Sequence, residues 1–105
     1  MGRNKPTLMA VFRKYNRLYF GSKLKVSDVR FGRIRPKGAG ETSFFSDCPP
    51  IITVDRQLMS YGRFARMVLL HEMVHASAHH DVGHGPKFVK RIKRLVRQGA
   101  YDDLL

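Results

Sequence analysis

The chain has 105 residues, the size of one domain with a modest core. Its hydrophobic fraction of 43% is ordinary for a globular protein and argues against a disordered one. Lys and Arg number 20 against 8 Asp and Glu, a formal charge of +12 that favours polyanionic partners, above all nucleic acid.

Cys48 is the single cysteine, so no internal disulfide can form, and a reducing compartment suits the chain. Burial as a small apolar residue is its expected role. No apolar h-region follows Met1, and no apolar run is long enough to span a bilayer. The expected location is intracellular: cytoplasm or nucleoid, or the nucleus of a eukaryote.

Residues 1–5 read as a short basic arm. Pro6 suits the first turn of a helix, with Asn4 as its cap. Leu8, Val11, Phe12, Tyr15, Leu18 and Tyr19 then recur at helical spacing, and Gly21-Ser22 stops the helix. Leu24 to Arg35 reads as extended, with Val26, Val29 and Phe31 among arginines. The turn Pro36-Lys37-Gly38-Ala39-Gly40 leads to a second strand, Glu41 to Ser46. Strand alternation there puts one of Phe44 and Phe45 in the core. Ile51-Ile52-Thr53-Val54 is the clearest strand, and three short runs joined by short turns predict an antiparallel meander.

Asp55 to Tyr61 reads as irregular or a short helical piece. A central helix follows from about Arg63 to His79, with Phe64, Met67, Val68, His71, His75 and Ala78 as its core face. Pro86 opens a last helix to about Gln98, with Phe88, Val89, Ile92, Leu95 and Val96 on its apolar side. Asp102 and Asp103 belong to a polar tail. The fold class is therefore α+β: an N-terminal helix, a three-stranded antiparallel sheet, a central helix and a C-terminal helix, with the core over about residues 6–98 of a single domain.

The central helix carries His71-Glu72-Met73-Val74-His75, an H-E-x-x-H pentapeptide. Residues four apart share a helix face, so His71 and His75 can hold one metal ion, and Glu72 beside them is suited to take a proton from water. That pattern points to a zinc hydrolase with one Zn2+. Catalytic zinc usually takes three protein ligands. The candidates for the third are His79, His80, Asp81 and His84. His71 and His79 lie about 12 Å apart along a helix axis, which prevents convergence on one ion. His84 is favoured, because Gly83 and Gly85 let the chain reverse and close the site from a second direction. Tyr61, just before the helix, is a weak candidate for a second oxyanion donor.

These residues resemble a known family. His71-Glu72-Met73-Val74-His75 followed by His84-Gly85-Pro86-Lys87-Phe88 is similar to the SprT-like domain of Spartan-type zinc metalloproteases. Tyr15 to Leu24 resembles that domain's first helix and the turn after it. Ala39-Gly40 resembles a small-residue step in its hairpin, and Ile51 to Val54 the strand before its metal helix. The resemblance implies a zincin-like minimal protease domain. It implies His71, His75 and His84 as zinc ligands and Glu72 as general base, with a substrate lying near the edge strand beside the metal groove. It further implies cleavage of proteins bound or crosslinked to DNA. The spacer from His75 to His84 is shorter than in Spartan proper, and no cysteine-paired zinc ribbon follows the last helix. Contacts to nucleic acid are therefore expected from the domain itself or from a partner.

Two basic groups are candidates for such contacts. Lys87, Lys90, Arg91, Lys93, Arg94 and Arg97 lie on the last helix, and Arg30, Arg33, Arg35 and Lys37 on the first strand and its turn. Strand alternation is expected to align the three arginines, and phosphate contacts of this kind bind single-stranded or junction DNA without sequence preference. Phe44 and Phe45 are candidates for stacking on bases. The leading expectation is thus a zinc endopeptidase acting on DNA-associated proteins. One alternative is a nucleic-acid-binding module with a mainly structural zinc site. Another is a zinc hydrolase of a different substrate class.

Overall fold

The computed structural model describes residues 7–34, 38–78 and 84–104. Thr7 starts the first helix, its Oγ1 accepting from the Ala10 amide at 3.0 Å. The sequence points to Asn4 and Pro6 for this start, and both lie outside the described residues. Helix α1 (Leu8–Tyr19) buries Leu8, Phe12 and Tyr15, while Arg13, Lys14 and Arg17 face solvent. Leu18, expected on the apolar stripe, is exposed. Gly21 and Ser22 both take left-handed φ angles, +61° and +60°, and reverse the chain. Asn16 fixes that reversal: its side chain donates to the Leu24 carbonyl at 3.0 Å and accepts from the Leu24 amide at 3.1 Å.

Three strands follow: β1 (Asp28–Gly32), β2 (Gly40–Ser43) and β3 (Ile51–Asp55). Their order is β1-β3-β2, with β3 antiparallel to β2 but parallel to β1. The expected antiparallel meander is thus corrected to a mixed sheet. The physical reason is burial. Ile52 and Val54 are fully buried, so the most apolar strand takes the centre and the two weaker ones take its flanks. Val29 and Thr42 stand opposite Ile52, and Phe31 and Gly40 opposite Val54, so these six share one sheet face. That face receives the second helix.

Strand β2 ends at Ser43, so Phe44 and Phe45 lie beyond it and both are exposed, where one was expected in the core. Cys48 is also exposed rather than buried. A 3₁₀ turn (Arg56–Ser60) leads into α2 (Gly62–Ser77). The buried side of α2 is Ala65, Leu69, Leu70, Met73, Val74 and Ala76. The expected core face is corrected in part: Ala78 is buried as expected, but Met67, Val68, His71 and His75 are only half-buried and Phe64 is exposed, with Met67, Val68 and His71 bordering a groove.

Helix α3 (Pro86–Arg97) buries Phe88 and Leu95 with Ile92 partly covered, a spacing of four and three residues. Val89 and Val96, expected on the same side, are exposed. After Gly99 (φ +81°) the chain turns back, and Ala100 and Leu104 are buried, so the expected polar tail packs on the core while Asp102 and Asp103 stay in solvent. No helix among the described residues is long and apolar enough to cross a membrane.

Candidate metal centre

His71 and His75 lie one turn apart on α2, with ring centroids 4.9 Å apart. His84 comes from the segment that enters α3, where Gly85 is the N-cap and Pro86 the first helical residue. Its Nε2 lies 3.3 Å from the Nε2 of His71, and one nitrogen from each of the three rings falls within 4.8 Å of the others. Two nitrogens bound to one tetrahedral zinc at about 2.0–2.1 Å stand about 3.3–3.4 Å apart. The His71–His84 separation matches that edge, and an all-imidazole donor set suits zinc. The three rings therefore fit a single ion. His79, His80 and Asp81 lie outside the described residues.

The rings are backed by Phe88. Its centroid is 4.4 Å from that of His75, 4.6 Å from His84 and 5.0 Å from His71. Phe88 is itself buried, so a rigid apolar wall limits how the rings can rotate. Phe88 was legible as an apolar helix residue and as the end of the His84-Gly85-Pro86-Lys87-Phe88 run, but not as the wall behind the rings. Burial lowers the pKa of His71, and the nearby His75 and His84 lower it further. Burial, then His84, does the same at His75. Both rings are thus held as neutral ligands at neutral pH.

Glu72 faces the sheet and is buried. The Thr42 hydroxyl donates to its Oε1 at 2.7 Å and lies 3.1 Å from its carbonyl oxygen. Burial raises the pKa of the Glu72 carboxyl, the Thr42 hydrogen bond opposes that rise, and the charge of Glu41 adds to it. Gly40 permits the close approach. A Cβ there would stand 2.5 Å from Val68 Cγ1, 3.0 Å from Glu72 Cγ and 3.2 Å from Glu72 Oε2. Thr42 was not legible as a site residue, because its role depends on the register that sets β2 beside α2.

His71 and Glu72 line one groove of about 400 Å³, with Met67 and Val68 below and Gly38, Ala39 and Gly40 along its rim. The rim continues into β2, an edge strand of the sheet. Tyr61, considered as an oxyanion donor, is 59% exposed and does not line the groove.

The basic candidates separate. Lys87, Lys90, Lys93, Arg94 and Arg97 are exposed on α3, whereas Arg91 is half-buried on its inward side. Among the described residues of the other group, Arg30 lies in a strand and Arg33 does not, and the Arg30 Nη1 is 3.7 Å from Asp28 Oδ2 on the same face. The expected alignment of three arginines is corrected: Gly32 ends β1 before exposed Arg33, and Arg30 and Arg33 differ in alternation parity. Arg35 and Lys37 lie outside the described residues.

The sequence model of the SprT-like family matches residues 8–102. No curated protein matches the chain.

Proposed function

We propose, from the premise that this chain belongs to the SprT-like family, that it is a zinc-dependent endopeptidase acting on proteins bound or crosslinked to DNA. The observation that carries this reading is the convergence of three imidazoles, one of which, His71, lines a groove together with the buried carboxylate of Glu72. A mainly structural zinc site has no need of that carboxylate.

His71, His75 and His84 are the residues that would hold the ion. When bound, zinc supplies Lewis acidity, both to the scissile carbonyl and to a water. Glu72 would act as general base toward a water in the groove and would return the proton to the leaving amine. Thr42 fixes which carboxylate oxygen is engaged, leaving Oε2 toward the groove. An extended substrate segment adds to the outer edge of β2, whose backbone orients it across the groove. Arginines and lysines on α3 and β1 hold the nucleic acid through phosphate contacts, non-specifically and with strong salt dependence. On this reading its work lies inside the cell, in the cytoplasm or nucleoid, or in the nucleus of a eukaryote.

The test is a cleavage assay on a DNA-bound protein, with metal content measured in parallel. Wild-type protein with one zinc should cleave, DNA should stimulate cleavage, and Glu72→Gln should keep zinc but lose activity by about 10²–10⁴-fold. A zinc-loaded wild type inert on every protein substrate, with and without DNA, would overturn the reading.

A further inference from the structure

A second cavity, of about 670 Å³, shares no residue with the metal centre or its groove. It lies between the turn after α1, the Pro49-Pro50 corner, the end of α2 and the inward side of α3. Four of its lining residues are cations, Lys23, Lys25, Arg91 and Arg94, and none is acidic. Tyr19 and Phe20 add aromatic surface.

Arg91 is the anomaly in this cavity. It sits three residues after buried Phe88 and four before buried Leu95, on the stripe that α3 turns inward. Its Nη1 is shielded from solvent and has no hydrogen-bond partner. A buried charged donor without an acceptor is costly, and such orphans mark a missing partner. Neither Arg91 nor Arg94 has a carboxylate partner among the described residues. The cavity wall is also built in advance. The double bridge from Asn16 to Leu24 and the left-handed Gly21-Ser22 turn hold the segment that carries Lys23 and Lys25. A charged fork therefore waits in a preformed hollow without its counterion.

We infer that this cavity binds the phosphate of a nucleotide. A guanidinium matches phosphate oxygens as a bidentate fork, and four cations around one site favour a phosphate over a singly charged carboxylate. The volume lies in the range of small-molecule sites, and Tyr19 with Phe20 gives a base a face to stack on. The phosphate can belong to a strand or to a free nucleotide. In the first case the site deepens the nucleic-acid half of the proposed function, and it requires nothing of the metal chemistry. It also separates Arg91 and Arg94, which line the cavity, from Lys90 and Lys93, which face away from it on the same helix.

The test uses the full chain with isotope-labelled arginine side chains, titrated with inorganic phosphate, adenosine 5′-monophosphate, adenosine and a short oligothymidylate. Arg91 and Arg94 signals should move saturably with the phosphate-bearing probes and not with adenosine. Arg91→Met with Arg94→Gln should weaken binding by about tenfold or more, as expected for lost charge-assisted hydrogen bonds. Arg13→Gln with Lys14→Gln removes the same charge from exposed positions outside the cavity and should cost less than about threefold for the mononucleotide. Arg91→Met alone should melt no lower than wild type in phosphate-free buffer, yet lose the rise in Tm that phosphate gives wild type. If Arg91→Met does not fold, Lys23→Gln with Arg94→Gln, both at exposed positions, serves in its place. Equal losses in the two charge-matched pairs, or shifts that bypass Arg91, would overturn the site. An oligonucleotide that binds without moving Arg91 removes the cavity and leaves the nucleic-acid reading standing. A mononucleotide that binds while the oligonucleotide does not removes that reading and supports the cavity.

Discussion

Thr42 and Glu72 are thirty positions apart in the chain, yet the Thr42 hydroxyl donates to Glu72 Oε1 at 2.7 Å across the seam between β2 and α2. The bond gives the sheet a direct hold on the carboxylate that lines the groove with His71. A hydrogen bond to a charged group contributes about 1.5–3 kcal/mol. Thr42→Val should therefore lower kcat by about ten- to a hundredfold while KM and zinc content stay near wild type. Thr42→Ser should restore most of the loss. A Thr42→Val enzyme with normal kcat and only a lower Tm would make Thr42 a packing residue and nothing more.

The buried carboxylate also sets a stability cost whose sign can be worked out. Burial raises the folded-state pKa of Glu72 above its unfolded value near 4.5. Such a group adds stability below the unfolded pKa, and that contribution is lost as pH rises through the folded pKa. At neutral pH the metal-free protein therefore carries an ionised, partly compensated charge in its interior. Glu72→Gln removes the charge and leaves an amide oxygen for Thr42. The metal-free variant should melt higher than metal-free wild type at pH 7, and the gap should close as pH falls toward 4.5. Thermal melts of the chelated proteins across that range decide it, and a gap that widens on acidification would contradict the assigned direction.

Gly40 tests the same seam from the other side. Its missing Cβ is what lets β2 reach α2, since that atom would lie 2.5 Å from Val68 Cγ1. Gly40→Ala should destabilise the fold by about 1–3 kcal/mol, the usual range for overpacking. Activity should fall further than stability alone explains, because the shift separates Thr42 from Glu72. Adding Val68→Ala removes the nearest clash and should recover much of both. If the double variant is no better than Gly40→Ala in denaturant melts, steric closeness is not the reason for glycine.

Much of this seam could not be read from the sequence. The helices were legible because apolar spacing and turn residues mark them locally, as at Gly21-Ser22 and Pro86. His71, Glu72 and His75 were legible because one helix presents all three within five residues. Strand order was not, because pairing is decided by which strand buries most. Ile52 and Val54 take the centre only once both flanks are known. Thr42 escaped for the same reason, since it acts on the site through a contact between elements. Phe64 misled in the opposite direction: it fits the helical period of the metal face, yet it is exposed.

Metal affinity should depend on His84 more than on any other described residue outside α2. The His84 and His71 nitrogens already stand 3.3 Å apart, the length of one edge of a tetrahedral zinc site. Zinc at a hundred times its Kd should stabilise the protein by about 2.7 kcal/mol, and a chelator should reverse this. His84→Ala should lose most of that rise in Tm and most of the bound zinc. The lowered pKa values of His71 and His75 mean that protons compete poorly at neutral pH. Zinc binding by wild type should hold down to the ordinary histidine value of about 6.5 and weaken below it. Calorimetric titrations at several pH values would show this, and a loss of affinity already complete at pH 7 would contradict it.

Asn16 is the last position where a local contact has a wider effect. Its amide makes two hydrogen bonds to the Leu24 backbone, one donated and one accepted, and so ties α1 to the chain entering β1. Asn16→Ala leaves a part-buried amide and carbonyl without those partners, at an expected cost of about 1–3 kcal/mol in denaturant unfolding. Asn16→Asp keeps the acceptor but sets a carboxylate oxygen against the Leu24 carbonyl. It should be at least as unstable as Asn16→Ala at pH 7. Protonation restores the donor, so this variant should regain stability, relative to Asn16→Ala, as pH falls through the raised pKa of the new carboxyl. Parallel pH-dependent melts of the two variants would show the crossover. If both fall together on acidification, the Leu24 backbone does not depend on the donor.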